Sequence, residues 1–329
     1  MNTKNWQQHS FRAMGSEINL WLETFQPTIA QAAFEQVESL LAENEQVLSR
    51  FRSDSELSEL NAQTGRWQQV SPLLWDVLLV ALGMAAVTNG RFDPTILHAL
   101  ESVGYVMSFE LLETAVSHPT FLTSTSINWT HVQLDAKQQA VWLPPGVGLD
   151  FGGIAKGYTA QQAVDLLNGV GPCLVDAGGD LVAGAAPTGY LGWPVSIASP
   201  WMLSDDLFQL WLADGAMATS GIDYRRWERN GRLAHHIIDP ATNQPADTDL
   251  LTVTILADNV QEAEVWATAV LVAGQQDGID MLLNSELAGL LITQSGNMLA
   301  TPQMDFYLQA NSGSHHVFTQ RFEEFCKYG

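Results

Sequence analysis

The amino-terminal third of the chain carries one strand pattern followed by two helix patterns. Polar and apolar residues alternate over 16–24, SEINLWLET, which predicts a strand. Thr28 is then expected to cap a long helix. The apolar residues of its buried face follow a three-and-four spacing: Phe34, Val37, Leu41 and Leu48. The periodicity breaks at Ser53–Ser55 and restarts, and a second helix is predicted to begin on Pro72 and to stop at Gly90.

The remainder of the chain mixes strand patterns with two further helix patterns. Residues 131–151 predict a hairpin whose turn lies near Asp135–Gln138, and helices are predicted over 155–169 and 261–274. The inner face of the first of these helices carries Ala163, Leu166 and Leu167. The strand candidates are CLVDAGG, GWPVSIAS, GAMATSG and LLTVTILA, and GLLITQSGNMLAT predicts a last hairpin. Helices and strands interleave without a strict βαβ rhythm, so we expect an α+β fold with mostly antiparallel sheets and flanking helices.

Composition indicates a folded globular protein, because 46% of the residues are hydrophobic and 15% are charged. A chain of 329 residues can bury a sizeable core, either as one domain over 1–329 or as two closely packed subdomains. Pro144 and Pro145 mark a soft boundary near 144 between a helical first third and a β-rich remainder.

The charge balance limits the possible partners of the chain. There are 36 acidic and 14 basic residues, for a net charge of -22. Nucleic acid and anionic membranes both require a basic face, so neither is an expected partner. An anionic ligand can bind only at a local exception to this field, such as a lysine, a glycine turn or a bound cation.

Cysteines and apolar runs add two further expectations. Cys173 and Cys326 are far apart and form no CxxC pair, so neither a disulfide framework nor a zinc site is expected. The amino terminus as written has no signal-peptide pattern, and no run of about 18 apolar residues predicts a membrane span. The chain is therefore expected to be cytoplasmic as written, or extracytoplasmic if a leader was removed.

Two segments each place a pair of glycines next to charged residues. In LDFGGIAKGY, 149–158, a strand ends at Asp150, two glycines follow, and Lys156 lies at the start of the next helix. Such a turn would aim free backbone N–H groups and a cation at an anionic ligand, although a plain helix-start turn has the same appearance. In DAGGDL, Asp176 and Asp180 flank a second glycine pair, which is equally typical of Asx turns.

Two further segments carry candidate chemistry. His235 and His236 in HHIIDP are adjacent, so on a strand their side chains point to opposite faces and only one can serve a given site. The basic stretch RRWERNGR before them is interpreted as a solvated hairpin tip or as a contact for an anionic ligand. Glu264 and Thr268 are four residues apart on one helix face, which suits Mg²⁺ but is also common on solvated helices.

In order and spacing, seven motifs closely resemble those of the ApbE family, the FAD:protein FMN transferases. They are AMGSEI, GRFDPT, LDFGGIAKGY, DAGGDL, TSGIDY, HHIIDP and AEVWATAV. The resemblance runs from about residue 10 to residue 300 and leaves the tail, 305–329, outside it. It implies an ApbE-like, T-fold-related architecture.

The resemblance implies an Mg²⁺-dependent reaction on FAD. Family members cleave the pyrophosphate of FAD, attach FMN through a phosphoester to a threonine or serine of a target protein, and release AMP. The implied partners are FAD and an acceptor protein, with the chain acting as a monomer or homodimer. Two alternatives stay open: an FAD pyrophosphatase that yields FMN and AMP, and a non-catalytic FAD-binding protein.

The resemblance also implies roles for individual residues. The expected metal ligands are the Gly153 carbonyl, Glu264 and Thr268. The expected FAD-binding residues are Met14, Phe51, Val103, Gly104, Tyr105, Asp150, Lys156 and Ile238. His236 and Lys156 are the expected catalytic residues, with His236 assisting deprotonation of the acceptor hydroxyl. Supporting positions are expected for Ser220, Asp239 and Asp180.

Two positions depart from the family pattern. Glu264 stands where the family usually has aspartate, which keeps the charge but moves the carboxylate oxygens. Asp176 stands where asparagine is common, which adds a negative charge near the expected diphosphate.

Overall fold

A computed structural model describes residues 5–106, 127–202, 205–223, 226–229 and 232–312. Its helices are α1 (Pro27–Leu48), α2 (Glu56–Ala62), α3 (Pro72–Val87), α4 (Leu97–Ser102), α5 (Ala155–Asn168), α6 (Val260–Asn284) and α7 (Pro302–Ser312). Its first strands are β1 (Trp6–Ala13), β2 (Ser16–Glu23), β3 (Trp67–Gln69), β4 (Gln133–Asp135), β5 (Ala140–Trp142), β6 (Cys173–Ala177), β7 (Asp180–Ala183) and β8 (Trp193–Ala198). The others are β9 (Asp206–Leu212), β10 (Gly215–Gly221), β11 (Arg226–Arg229), β12 (Arg232–His235), β13 (Ile238–Asp239), β14 (Gln244–Pro245), β15 (Leu250–Ala257), β16 (Ala288–Thr293) and β17 (Met298–Ala300).

An eight-stranded sheet forms the centre of the fold, in the order β1-β2-β6-β7-β10-β15-β16-β17. Every neighbouring pair in this sheet is antiparallel. Smaller sheets are formed by β3-β5-β4, β8-β9, β11-β12 and β13-β14. The predicted α+β class with mostly antiparallel sheets is therefore confirmed.

Most predicted elements are present close to their expected positions. The predicted strand over 16–24 is β2, and the hairpin with a turn after Asp135 is the β4-β5 pair. The predicted strand candidates are β6, β8, β10 and β15, and the last hairpin is β16-β17. Within RRWERNGR, residues 226–229 form β11 and Arg232 begins β12, and these two strands pair antiparallel; the predicted tip lies outside the described residues.

Two helix boundaries differ from the prediction. Thr28 does not cap α1: the cap position is Gln26, which makes no side-chain cap hydrogen bond, and Pro27 is the first helical residue. Proline starts the helix here because its φ is already helical and its missing N–H needs no partner. The helix predicted over 261–274 instead continues to Asn284, with a kink at Gly274, where φ is 80°.

The two faces of the central sheet bury different cores. Helices α1, α5 and α6 pack on one face, where Val37, Ala163 and Val175 are fully or almost fully buried. The opposite face packs on the β8-β9 hairpin and α7, with Trp193 and Met304 at its centre. A third core surrounds α3. Within the described ranges, no helix has the length and apolar character needed to cross a membrane.

Candidate functional site

A cavity of about 600 Å³ lies beside the end of β10 that does not pair with β7. Strand β7 pairs only with Gly215–Met217 of β10, and β10 continues to Gly221 beyond the start of β7. The turn that joins β6 to β7 occupies this place and contains Gly178 and Gly179, with φ of 70° and 100°. Both glycines and the free end of β10 line the cavity, so the cavity reaches both faces of the sheet.

Alternation along the strands shows which lining residues belong to which face. Asp180 on β7 and Ser220 on β10 are in register with residues of the helix-side core, so they face α5 and α6. Leu174 and Met217 pack with Trp193 on the other face, and they line an apolar part of the cavity. The cavity thus has a polar half on the helix side and an apolar half toward β8.

The glycine turn before α5 forms one wall of the polar half. The backbone N–H of Gly152 donates to Asp150 Oδ1 at 2.8 Å, and the N–H of Asp150 donates to the Pro94 carbonyl at 2.8 Å. The N–H groups of Ile154 and Ala155 both donate to the Phe151 carbonyl, at 3.0 and 2.8 Å. These two groups are consequently used within the turn, contrary to the expectation of free N–H donors there.

Lys156 lies between two buried carboxylates. Its Nζ is 2.9 Å from Glu264 Oε1 and 3.2 Å from Asp180 Oδ2. The three side chains come from α5, α6 and β7 and are between 7% and 14% exposed. Burial raises the pKa of Glu264 to about 7, while the Lys156 ammonium opposes that rise. One cation thus faces two carboxylates, so the group as a whole does not present excess positive charge to the cavity.

The oxygen atoms beside Lys156 are suitable ligands for a hard cation. Glu264 Oε2 is buried and has no hydrogen-bond partner among the described residues. Gly157 leaves room for it, since a Cβ there would lie 2.6 Å from Oε2. Thr268 Oγ1 lies 2.9 Å from Ser220 Oγ on the same wall. Carboxylate, hydroxyl and carbonyl oxygens are the ligand types that Mg²⁺ prefers.

Among the described residues, the wall around Lys156 does not contain a metal site formed by protein side chains alone. In the parts of the chain that the structure describes, no group of three or more histidine, cysteine or carboxylate residues is placed to hold a metal ion. A cation at this wall would therefore depend on one or two carboxylates, neutral oxygens and the ligand itself, which is the usual way in which proteins hold Mg²⁺ beside a phosphate.

The rings of Tyr105 and His236 form another part of the cavity wall. His236 lines the cavity, and its ring centroid is 6.2 Å from that of Tyr105 in an edge-on contact. His235 is buried away from the cavity, and burial lowers its pKa. The two adjacent histidines thus separate as the strand alternation predicts, with His236 on the side of the cavity.

Eight of the sequence-predicted site residues line the same cavity: Tyr105, Asp150, Gly153, Lys156, His236, Ile238, Glu264 and Thr268. The supporting residues Asp180 and Ser220 line it as well. Asp176 lines it from the β8 side, accepts a hydrogen bond from the Gly179 N–H at 2.7 Å, and has a pKa raised by burial. The negative charge of Asp176 is therefore on the opposite face of the sheet from Lys156.

Five predicted residues are not among those that line the cavity. Phe51 packs edge-on against Tyr105 at 5.7 Å, and Val103 is buried in the same small cluster as Ile238. Gly104 has a φ of 100° between Val103 and Tyr105. Asp239 accepts a hydrogen bond from the Ala241 N–H in a turn.

Met14 is the fifth of these residues. It has a φ of 50° in the turn between β1 and β2, and its N–H donates to Glu45 Oε2 at 2.9 Å. Its side chain packs against the core around α3.

Two residues at the site carried no role in the sequence prediction. Asp93 lines the cavity and accepts hydrogen bonds from the N–H and Oγ1 of Thr95, at 2.8 and 2.6 Å. Burial raises its pKa, and its place in the GRFDPT motif was the available signal. Arg50 forms a buried ion pair with Asp150 and has no periodic signal, because its partner is distant in sequence.

Comparison with known proteins agrees with this architecture. The chain is 34% identical to the FAD:protein FMN transferase of Treponema pallidum over 271 residues, which cover 76% of this chain and 74% of that protein. It is 27% identical to one from Klebsiella pneumoniae over 310 residues, which cover 91% of this chain and 93% of that protein.

Solved structures confirm the expected ApbE-like fold. The ApbE protein of Thermotoga maritima superposes with a TM-score of 0.82 at 24% identity and covers 92% of this chain and 99% of its own. The flavin transferase ApbE from Vibrio cholerae gives a TM-score of 0.78 at 23% identity, with coverage of 92% and 99%. The ApbE family model matches residues 14–291, and by this match the chain belongs to the ApbE family.

Proposed function

We propose that the chain is an FAD:protein FMN transferase, which attaches FMN through a phosphoester to a threonine or serine of an acceptor protein and releases AMP. The observation that carries the proposal is the buried Lys156 group, which lies beside the glycine turn of Asp150–Gly153 in a cavity large enough for an organic ligand. The names of the related proteins support the choice of FAD as the ligand.

The cavity walls supply the proposed FAD contacts. Tyr105, Asp150, Lys156 and Ile238 line the cavity and can touch the ligand directly. Phe51, Val103 and Gly104 would not touch the ligand and would instead hold Tyr105 and Ile238 in place. The same is proposed for Met14 through its turn, so four of the expected FAD residues are assigned a supporting position rather than a direct contact.

Charge balance favours a cation at the site. The diphosphate of FAD is anionic, and Lys156 already faces the carboxylates of Asp180 and Glu264. Glu264, Thr268 and the Gly153 carbonyl would hold Mg²⁺. When bound, Mg²⁺ would neutralise charge that develops on the diphosphate oxygens.

The residues of the chain would then perform a phosphoryl-type transfer by positioning and charge. The acceptor hydroxyl oxygen forms a bond to the phosphorus of the FMN half, and the bond from that phosphorus to the bridging oxygen breaks. AMP leaves with that electron pair, while His236 accepts the hydroxyl proton. Lys156 places positive charge next to the diphosphate, and Ser220 orients Thr268 through their hydrogen bond.

Product analysis tests this proposal. Purified protein is incubated with FAD and Mg²⁺, with and without a protein extract as the source of acceptors, and peptides are searched by mass spectrometry for FMN on threonine or serine. The expected result is FMN-modified peptides and AMP only when acceptors are present. Free FMN and AMP in equal amounts without any acceptor would instead identify a pyrophosphatase, and FAD recovered intact would identify a binding protein.

A further inference from the structure

Arg50 is a buried cation that touches the cavity wall from behind. Its side chain is 6% exposed and forms an ion pair with Asp150, which is 8% exposed and lines the cavity. Arg50 itself is not among the lining residues. Arg50 can therefore affect a ligand through the residues that it contacts, without touching the ligand itself.

Arg50 also stacks on two aromatic rings. Its guanidinium carbon lies 4.1 Å from the centre of the Phe51 ring and 4.8 Å from the centre of the Tyr105 ring. Tyr105 in turn contacts His236 edge-on. One planar group thus joins the segments that carry Phe51, Tyr105 and Asp150, which the chain brings together from distant positions.

The Asp150 carboxylate contacts both Arg50 and the glycine turn. Its Oδ2 is paired with Arg50, while its Oδ1 accepts the N–H of Gly152, directly before Gly153. Without Arg50, a buried carboxylate would be left uncompensated beside the cavity, where it would repel an anionic ligand.

Retaining this cation is costly for the fold, which favours a functional reason for it. Arg50 Nη2 is buried without a hydrogen-bond partner among the described residues. A buried charge with an unsatisfied donor gains less from its ion pair than a fully hydrogen-bonded one. An apolar side chain paired with a neutral residue at 150 would fill the same space without this penalty.

We propose that Arg50 is a positioning residue for FAD: it cancels the charge of Asp150 and holds the Asp150 carboxylate and the Tyr105 ring in place for the ligand. The inference rests on the proposed function, because it takes FAD as the ligand. It assigns to Arg50 an effect on FAD affinity and on KM, with a smaller effect on kcat at saturating FAD.

The test measures FAD binding and turnover separately. Arg50→Met, Arg50→Lys, Asp150→Asn and the double variant Arg50→Met/Asp150→Asn are titrated with FAD by flavin fluorescence in the presence of Mg²⁺ and without acceptor. Arg52→Met is the matched control, because this substitution removes the same charge two residues away. The Arg52 side chain is 44% exposed and forms a surface pair with Asp54. Thermal unfolding of each variant reports its folding.

We expect Arg50→Met to weaken FAD binding by roughly tenfold or more, which corresponds to about 1.4 kcal/mol. Arg50→Lys keeps the charge but not the planar stack, so its loss is expected to be smaller. The FAD affinity of the double variant is expected to be no lower than that of the single variant with the lower affinity, because both mutations remove the same interaction. Arg52→Met is expected to bind FAD like the wild type.

The outcomes separate this inference from the proposed function. Wild-type affinity and KM in a folded Arg50→Met variant would overturn the role of Arg50 and leave the transferase proposal standing. If Arg50→Met folds, losses that simply add in the double variant would also overturn the inference. If Arg50→Met does not fold, Arg50→Lys decides, and wild-type affinity in Arg50→Lys would overturn the inference. Absence of FAD binding by the wild type would overturn both proposals.

Discussion

Replacing Gly157 by alanine tests the central packing contact of the site. Gly157 lies inside α5, directly against the Glu264 carboxylate. An added Cβ would lie 2.6 Å from Glu264 Oε2 and 3.1 Å from a methyl carbon of Val260. Both distances are well inside the separation of about 3.5 Å at which non-bonded heavy atoms attract each other. Glu264 therefore has to move, and Lys156 loses part of its ion pair.

The sign of the stability change is opposite to that of an ordinary helix substitution. Glycine to alanine in a helix interior normally stabilises by about 0.5–1 kcal/mol. Overpacking a buried position costs about 1–3 kcal/mol. We therefore expect Gly157→Ala to lower the free energy of unfolding by about 1 kcal/mol. Displacement of the Glu264 oxygens is expected to lower FMN transfer by roughly tenfold or more, because small misplacements at a reacting site are costly.

Gly83→Ala is the matched control for this substitution. Gly83 lies inside α3 and is exposed, and an added Cβ there meets nothing within 4 Å. It should stabilise the protein by about 0.5–1 kcal/mol and leave transfer unchanged. Urea unfolding and transfer rates are measured on both variants. Gly157→Ala with the stability gain of Gly83→Ala and full activity would refute the packing of Glu264 against α5.

Three further predictions follow from individual side chains. Glu264→Ala is expected to abolish FMN transfer by removing a metal ligand, whereas Glu262→Ala, on the same helix but not lining the cavity, should retain it; product analysis compares the two. Burial holds the pKa of His235 below its ordinary value, so the unfolded chain binds the proton more readily and stability falls as pH decreases through about 6.5. His235→Gln should therefore flatten the change in unfolding free energy between pH 7.5 and pH 5.5, and an unchanged slope would contradict the assignment. Burial raises the pKa of the free Cys173 thiol to about 12, so peptide mapping after iodoacetamide should find it unmodified in the native protein and modified in urea; rapid native labelling would contradict its burial.

Local periodicity was sufficient to predict most elements of this fold. Alternation over 16–24 identifies β2, and the apolar spacing of Phe34, Val37 and Leu41 identifies the buried face of α1. These signals are readable because each depends only on residues a few positions apart. Boundaries were less secure, as Pro27 rather than Thr28 shows, because capping residues compete over one turn.

Long-range pairing was not readable from periodicity. Lys156 and Glu264 are separated by 108 positions, and the sequence pattern around either residue does not indicate that the other is its partner. The motif resemblance placed both at one site, and the structure brings them to 2.9 Å. Arg50 had neither signal, since it lies outside the quoted motifs and its ion pair with Asp150 exists only after the sheet and helices have packed.

Asp176 illustrates how topology changes the meaning of a charge. Along the sequence it lies four residues before Asp180, and its charge was expected to lie near the diphosphate. Strand alternation instead directs Asp180 to Lys156 and Asp176 to the opposite face of the sheet. The added charge at 176 therefore lines the cavity from the β8 side, and it is still close enough to Asp180 for the two carboxylates to repel each other.

The transferase proposal is tested most directly by the stoichiometry of its products. FAD labelled in both halves is incubated with the protein, Mg²⁺ and an acceptor, and AMP, free FMN and protein-bound FMN are quantified over time. We expect AMP and protein-bound FMN to appear in equal amounts, with little free FMN and no reaction without the acceptor. AMP matched by free FMN at the same rate with and without the acceptor would contradict it.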